Sequence, residues 1–230
     1  MSYPKAVIFD MDGVIINSEC IWQKAEKEIF SSLGVEVIDE YAELTKSMTT
    51  SEATQFWFDR FPWQNKGLDI IEQMVISRVM ELIETKDCKI GGVEEFIEKL
   101  KAQNYKIGLA TNSPGKIISV VLQKLGIQEL FDVISSAEFE NNGKPDPAIY
   151  LQTALKLNVP TNKCIAIEDS HSGMLSAKRA GMTVIAFTNG NSNVHFEIAD
   201  YRIVNFVNFN IDDLDRIENK PQFFLVNPFQ

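Results

Sequence analysis

Two aspartates stand directly after a short apolar run near the start of the chain, in the order Asp10-Met11-Asp12-Gly13. If an extended strand continues through them, side chains two residues apart point to the same side, so the two carboxylates converge. Repulsion between close carboxylates favours a bound divalent cation. The pair therefore predicts a metal site, and the competing interpretation is an acidic turn that Gly13 ends.

A hydroxyl and a helix start come together at Thr111-Asn112-Ser113-Pro114, which follows another apolar run. A hydroxyl at a strand end, followed by the amides of a helix N-terminus, forms a cradle for phosphate, and the helix dipole adds a favourable potential. We therefore predict that Thr111, Asn112 and Ser113 bind phosphate. The alternative for Ser113 is that it only caps the following helix.

Two further clusters carry charge. Lys144 lies in Gly-Lys-Pro-Asp-Pro, where Pro145 stiffens the chain, so the ammonium can be held against a phosphate. The alternative is an ordinary solvated lysine.

Glu168 and Asp169 end a third apolar run, and adjacent acids there are costly to bury unless a cation or hydrogen bonds compensate them. Helix capping by Asp169 is the competing explanation.

The elements that must position these clusters alternate along the chain. The predicted strands are residues 6–9, 107–110, 133–134, 165–167 and 184–187. The predicted helices between them are residues 92–103, 114–125, 147–157 and 172–180. Asp146 is a candidate cap of the third helix, and Gly181 is a candidate end of the fourth. Strand–helix alternation predicts a parallel sheet, and ligands bind outside the carboxyl ends of such strands, so the four clusters should meet in one pocket.

The stretch from residue 17 to residue 85 differs from the remainder because it shows helical periodicity with almost no strand-like run. Gly91 and Gly92 then break the helical pattern. We predict an α/β fold with a Rossmann-like parallel sheet core and an inserted all-helical cap domain. The core domain would comprise residues 1–16 and 87–230, and the cap domain residues 17–86.

The composition excludes several classes of partner. The chain has 230 residues and 45% hydrophobic content, enough for a large core, and its 22 basic and 32 acidic residues give a net charge of −10, which argues against nucleic acid and anionic membranes. Cys20, Cys88 and Cys164 form neither a CxxC pair nor a zinc-ligand spacing, which favours a reducing compartment. No segment has the length of a signal peptide or membrane span. We expect a cytoplasmic monomer.

The order of the four clusters resembles the four motifs of the haloacid dehalogenase superfamily of hydrolases. The resemblance implies that Asp10 attacks phosphorus to form an aspartyl-phosphate, while Asp12 protonates the leaving oxygen and later deprotonates the attacking water. It also implies that Mg²⁺ is held by Asp10, the backbone carbonyl of Asp12 and Asp169, with Glu168 in a supporting position.

The same resemblance implies that Thr111 and Lys144 bind the non-bridging phosphate oxygens. The helical insertion is similar to the cap of the subgroup that contains β-phosphoglucomutase and sugar-phosphate phosphatases, including the 2-deoxyglucose-6-phosphatase group. The implied substrate is a small phosphorylated metabolite, in particular a sugar phosphate. The aromatic run at residues 56–63 resembles cap sequences of that group, and we expect it to pack the core of the cap, with stacking on a sugar as the alternative.

Mutases of the subgroup carry a histidine about a dozen residues after the nucleophile and a cap arginine that grips a second phosphate. This chain has Trp22 at the first place, and it has Lys46 but no arginine in the second run. Loss of a bidentate arginine weakens a bisphosphate intermediate by roughly 2 to 3 kcal/mol, so hydrolysis is favoured. Glu19, Trp22 and Lys46 are the predicted cap contacts to substrate.

A β-phosphoglucomutase-type phosphosugar mutase is the first alternative, and a non-catalytic small-molecule-binding protein on the same fold is the second. A catalytically inactive binding protein is expected to lack some residues of the four clusters, whereas all of them are present. A dehalogenase has no need of Asp12, and a nucleotide-binding module requires a glycine-rich loop after the first strand. The sequence assigns no role to His171 or His195, and residues 221–226 are either an edge strand or a docked tail.

Overall fold

The computed structural model describes residues 5–190 and 197–214 and contains one parallel six-stranded sheet within them. The strand order is β3-β2-β1-β4-β5-β6. The strands are β1 (Ala6–Phe9), β2 (Lys106–Thr111), β3 (Val133–Ser136), β4 (Cys164–Glu168), β5 (Thr183–Phe187) and β6 (Tyr201–Ile203). The parallel Rossmann-like sheet predicted from the sequence is confirmed, although the pattern did not predict the short edge strand β6.

Helices cover both faces of the sheet, because side chains alternate along each strand. Val7 and Phe9 pack on one face, while Ala6 and Ile8 pack on the other. The helices of the core are α5 (Val93–Ala102), α6 (Gly115–Leu125), α7 (Ala148–Leu157) and α8 (His171–Arg179). Helices α5 and α6 bury their apolar stripes against the first face, and α7 and α8 bury theirs against the second. Because both faces are covered, the strands are continuous apolar runs, as the sequence predicted.

Four helices lie between β1 and α5, where the sequence predicts an all-helical insertion. They are α1 (Glu19–Ser32), α2 (Asp39–Thr45), α3 (Thr50–Arg60) and α4 (Leu68–Thr85). We call residues 19–85 the cap. Its helical character is confirmed, while the domain boundaries at residues 16/17 and 86/87 stay a prediction.

The aromatic run at residues 56–63 packs inside the cap. The Trp57 side chain is fully buried, with its ring centroid 5.6 Å from that of Phe30, and Phe58 meets Trp63 edge-on at 4.9 Å. This agrees with the expectation that the run forms the core of the cap. The alternative, stacking on a sugar, is not supported, because none of these residues is among the described residues that line the cavity discussed below.

The residues predicted to cap or end helices were partly correct. Gly181 follows α8 with φ +80°, as predicted. Asp146 accepts the backbone N–H of Ala148 at 2.9 Å, but α7 begins one residue later than predicted and Pro147, not Asp146, holds its N-cap position. Ser113 does not cap α6, since Pro114 holds the N-cap position and no side chain accepts a backbone N–H there. Ser170 rather than Asp169 caps α8 by accepting the N–H of Gly173.

No helix within the described ranges is both long enough and apolar enough to cross a bilayer. All three cysteines are free thiols. His195 and residues 221–226 lie outside the described residues.

Candidate active site

The carboxyl ends of β1, β2 and β4 meet at a cavity of about 580 Å³ that lies between the sheet and the cap. This volume falls in the range of pockets for small molecules. The cavity is lined by ten of the residues that the sequence singled out, and the eleventh, Glu168, lies behind Lys144. The ten are Asp10, Asp12, Glu19, Trp22, Lys46, Thr111, Asn112, Ser113, Lys144 and Asp169.

Three donors hold the carboxylate of Asp12. One oxygen accepts from the Ser18 hydroxyl and from the Trp22 indole N–H, the latter at 2.8 Å, and the other oxygen accepts from the Ser113 hydroxyl at 2.6 Å. Trp22 lies on α1 of the cap and Ser18 directly precedes that helix, whereas Ser113 follows β2. The orientation of Asp12 therefore depends on the cap and the core together. The hydroxyl of Ser113, which the sequence assigned to phosphate, is committed to this carboxylate.

Lys144 is buried and uses its ammonium group in three hydrogen bonds. It donates to Asp10 at 2.7 Å, to Glu168 at 2.6 Å and to the carbonyl of Ala110 at 2.8 Å. Burial by itself lowers the pKa of Lys144, but the carboxylates of Asp10 and Glu168 more than offset this, so the pKa lies above its ordinary value. Lys144 is therefore a buried positive charge beside Asp10 and not a solvated loop lysine, while its contact with a phosphate stays a prediction.

Two glycines make room for the acidic pair at the end of β4. A Cβ on Gly13, where φ is +75°, would lie 1.8 Å from a carboxylate oxygen of Asp169. A Cβ on Gly173 would lie 2.1 Å from the carboxylate of Glu168, which also accepts the hydroxyl of Tyr150 at 2.6 Å. Gly13 thus does more than end an acidic turn, since any larger residue there would displace Asp169.

The carboxylates of Asp10, Glu168 and Asp169 carry more negative charge than Lys144 can balance. Burial raises the pKa of Asp10 well above its ordinary value, Lys144 lowers it in part, and Glu168, Asp169 and Asp12 raise it further. Burial likewise raises the pKa of Asp169 to about 7, with added repulsion from Glu168 and Asp12. Raised carboxyl pKa values indicate anionic charge without sufficient compensation.

These three residues fit a divalent cation. Each offers a carboxylate oxygen, and the three oxygens lie within 4.8 Å of one another. Oxygen ligands of this kind are those that Mg²⁺ and Ca²⁺ prefer. Because Glu168 is already engaged by Lys144 and Tyr150, Asp10 and Asp169 are the carboxylates most available to an ion.

The loop after β2 connects the cap with the core. The Thr111 side chain accepts the backbone N–H of Ser113 at 3.1 Å and keeps its own proton for another acceptor. The Asn112 amide donates to the carbonyl of Ser47 in the cap at 2.9 Å and accepts the backbone N–H of Lys144 at 2.9 Å. The Asn112 side chain therefore positions Lys144 and the cap, while Thr111 is free to contact a ligand.

The cap side of the cavity carries mixed charge. Lys46 is paired with Glu19 and Glu43, each at 2.6 Å, so two of the three predicted cap contacts are engaged with each other. The third, Trp22, bonds to Asp12. Sequence reasoning missed Ser18, Tyr150 and several cavity-lining cap residues, among them Gln23, Glu26, Thr45 and Thr50. The folded chain brings Tyr150 to Glu168 and the other residues to the cavity.

Several known proteins are similar to this chain in sequence and in fold. The model of the haloacid dehalogenase-like hydrolase family matches residues 7–187. Hexitol phosphatase B from Escherichia coli (strain K12) is 34% identical over 221 residues, which cover 93% of this chain and 99% of that protein. A phosphorylated carbohydrates phosphatase from Thermotoga maritima is 30% identical over 178 residues, or 77% of this chain and 82% of that protein. The crystal structure of β-phosphoglucomutase from Clostridium difficile matches with a TM-score of 0.82 and 25% identity, covering 94% of this chain and 97% of that one.

Proposed function

The chain belongs to the haloacid dehalogenase-like hydrolase family and is a phosphohydrolase, and from this premise we propose that it is a Mg²⁺-dependent phosphatase of phosphorylated carbohydrates. The observation that carries the proposal is the contact of Lys144 with Asp10 in a cavity that Asp169 and the hydrogen-bonded Asp12 also line. This arrangement combines a nucleophile, a fixed cation, a metal site and a proton carrier.

Asp10 is the proposed nucleophile. Its carboxylate oxygen attacks phosphorus while the bond from phosphorus to the sugar oxygen breaks, which leaves an aspartyl-phosphate. An anionic carboxylate and an anionic phosphate repel each other, so positive charge is needed between them. We propose that Asp10, the backbone carbonyl of Asp12 and Asp169 hold Mg²⁺, supported by Glu168, and that the ion supplies this charge together with Lys144.

Asp12 is the proposed general acid and base. It gives its proton to the departing sugar oxygen and then takes a proton from the water that attacks the aspartyl-phosphate, so inorganic phosphate leaves and both aspartates are restored. The three donors around Asp12 fix the direction in which the proton moves. We propose that Thr111 and Lys144 bind the phosphate oxygens, while the side chains of Asn112 and Ser113 support Lys144 and Asp12.

Trp22→Phe tests this account of Asp12, because it removes the indole N–H and keeps most of the aromatic bulk. Losing one of the hydrogen bonds that orient Asp12 costs about 1 to 2 kcal/mol, so we expect kcat for an alkyl phosphate to fall roughly 10-fold, with little change in KM. The fall should be smaller for 4-nitrophenyl phosphate, whose leaving group scarcely needs a proton. Equal losses for both substrates would mean that Trp22 acts through cap structure and does not position the proton carrier.

The relatives support a carbohydrate substrate, since two of them are named as phosphatases of hexitols and of phosphorylated carbohydrates. The test is phosphate release from a panel of phosphorylated sugars, polyols and nucleotides, first with Mg²⁺ and then with EDTA. We expect release from sugar or polyol phosphates with Mg²⁺, loss of activity in EDTA and recovery when Mg²⁺ is restored. Undiminished turnover in the chelator would overturn the metal role, and activity confined to nucleotides would overturn the substrate class.

A phosphosugar mutase is the second candidate, and the similarity to β-phosphoglucomutase favours it. Against it, Lys46 is held by two glutamates and the cap run has no arginine, so a second phosphate lacks a free cation there. Incubation with β-glucose 1-phosphate separates the two candidates. A phosphatase releases inorganic phosphate, whereas isomerisation without net release would establish the mutase.

A further inference from the structure

Glu26 is a half-buried carboxylate on the cap side of the cavity, and the proposed mechanism assigns it no role. It lies on α1, one turn after Trp22, and its side chain lines the same cavity as Asp10. No described residue gives it a hydrogen bond or an ion pair, although the other cavity-lining acids of the cap and the core have such partners or form part of the metal site. Burial raises its pKa to about 7.

A half-buried acid without a partner loses part of its hydration and gains no hydrogen bond within the protein in return, which is unfavourable. Among the described residues, no hydrogen bond or ion pair of the Glu26 side chain contributes to the stability of the fold. A ligand in the cavity would supply the missing partner. The nature of that partner follows from the charges and donors around the cavity.

Among the described cap residues that line the cavity, every lysine or arginine already has an ionic partner. Of the described residues that line the cavity, the lysines are Lys46, which is held by Glu19 and Glu43, and Lys144, which is held by the core carboxylates. Apart from Glu19, Glu26 and Lys46, the described cap residues that line the cavity are neutral, among them Gln23, Thr45, Met48 and Thr50. A second phosphate or carboxylate on the substrate would meet Glu26 with no free positive charge beside it.

We propose that Glu26 is a specificity-determining residue that hydrogen-bonds a hydroxyl of an uncharged, polyhydroxylated part of the substrate, remote from the phosphate. This proposal rests on the proposed phosphatase function and narrows its substrate class to monophosphates of sugars or polyols. The carboxyl group serves in either protonation state, because it can accept from a hydroxyl when ionised and also donate when protonated. A site built to bond a substrate hydroxyl rejects an analogue that lacks it, since its own polar group then stays unpaired.

The test compares substrates that share a phosphate and differ in the remote part. Sorbitol 6-phosphate offers hydroxyls to Glu26, ethyl phosphate offers none, and fructose 1,6-bisphosphate offers a second anion. The variants are Glu26→Leu, which removes the polar group, and Glu26→Gln, which removes only the charge. Glu40→Gln, at an exposed position in the first turn of α2 and outside the cavity lining, is the matched control.

We expect Glu26→Leu to lower the preference for sorbitol 6-phosphate over ethyl phosphate, measured as the ratio of kcat/KM values, by about 10-fold or more. Glu26→Gln should lower that ratio less, and it should raise kcat/KM for fructose 1,6-bisphosphate relative to sorbitol 6-phosphate. Glu40→Gln should change neither ratio. Thermal unfolding of each variant checks that it is folded, and the comparison uses ratios within one variant, so a partial loss of active protein cancels.

An unchanged preference in both Glu26 variants would overturn the role of Glu26 while leaving the phosphatase intact. If Glu26→Gln instead removes a preference for glucosamine 6-phosphate over glucose 6-phosphate, the remote group is an ammonium and the hydroxyl assignment is wrong. Failure of the proposed function looks different, because the unaltered protein would then release phosphate from none of these compounds.

Discussion

Asp10→Asn is expected to lower kcat for sugar-phosphate hydrolysis by about 10⁴-fold or more, the size of effect seen when a covalent nucleophile is removed. The amide has nearly the shape of the carboxylate but is a far weaker nucleophile. It can still accept the hydrogen bond that Lys144 donates to Asp10 at 2.7 Å. Phosphate release with Mg²⁺ is the primary measurement, and acid-quenched labelling of the protein with radioactive phosphate should disappear in the variant.

The fold of this variant should persist, because the pKa of Asp10 is raised mainly by burial, so a neutral group suits the position. Thermal unfolding and binding of the uncleaved substrate are the controls. Asp12→Asn is the matched variant two residues along, and it should still be labelled by an activated phosphate compound, although it cannot complete turnover. Hydrolysis by Asp10→Asn within about 10-fold of the unaltered protein would remove Asp10 from the mechanism.

The part of the site that could be predicted from the sequence is the part carried by the ends of strands. Asp10, Thr111 and Glu168 each stand where a buried apolar run stops, and the parallel sheet brings such ends to one edge. The strands themselves were predictable because burial on both faces leaves continuous apolar runs. Local pattern and global topology agree at these positions, so short-range reasoning was sufficient.

The remainder depends on contacts between distant parts of the chain that leave no local pattern. Ser113 looks like a helix cap, yet its hydroxyl bonds to Asp12, and Trp22 looks like a substrate contact, yet its indole bonds to the same carboxylate. In the sequence, Tyr150 occupies an apolar position of an amphipathic helix. In the structure, its hydroxyl donates to Glu168 at the end of β4. The edge strand β6 has only three residues, too few for a periodic signal.

The same long-range contacts determine the charge balance on which the site depends. Glu168 is fully buried and contacts Lys144, Tyr150 and Ser170, so its charge is compensated inside the protein. Asp10 shares that lysine, and its remaining negative charge is directed to the cavity. Lys144 is thus the element that makes two buried carboxylates tolerable in one place, with consequences for folding as well as for catalysis.

Lys144→Met should therefore reduce both stability and activity. Methionine has a similar length but no charge, so the carboxylates of Asp10 and Glu168 and the carbonyl of Ala110 each lose the charged donor that Lys144 provides. Breaking a buried ion pair by removing one partner costs about 3 to 5 kcal/mol of unfolding free energy. Because the proposed phosphate ligand is lost as well, kcat/KM should fall by about 10³-fold. Denaturant unfolding and phosphate release measure the two effects.

Lys124→Met is the matched control, because that lysine also donates to several acceptors but all are uncharged carbonyls, those of Ile83, Glu84 and Lys86. Because Lys124 is exposed, water can replace it at these carbonyls, so its loss should cost no more than about 1 kcal/mol in total and leave kcat/KM unchanged. The double variant Lys144→Met/Glu168→Gln should regain part of the stability lost in Lys144→Met, since one unpaired charge is gone, while activity stays low. If Lys144→Met and Lys124→Met unfold at the same denaturant concentration, the buried charges do not depend on Lys144, and the charge balance described for this site is wrong.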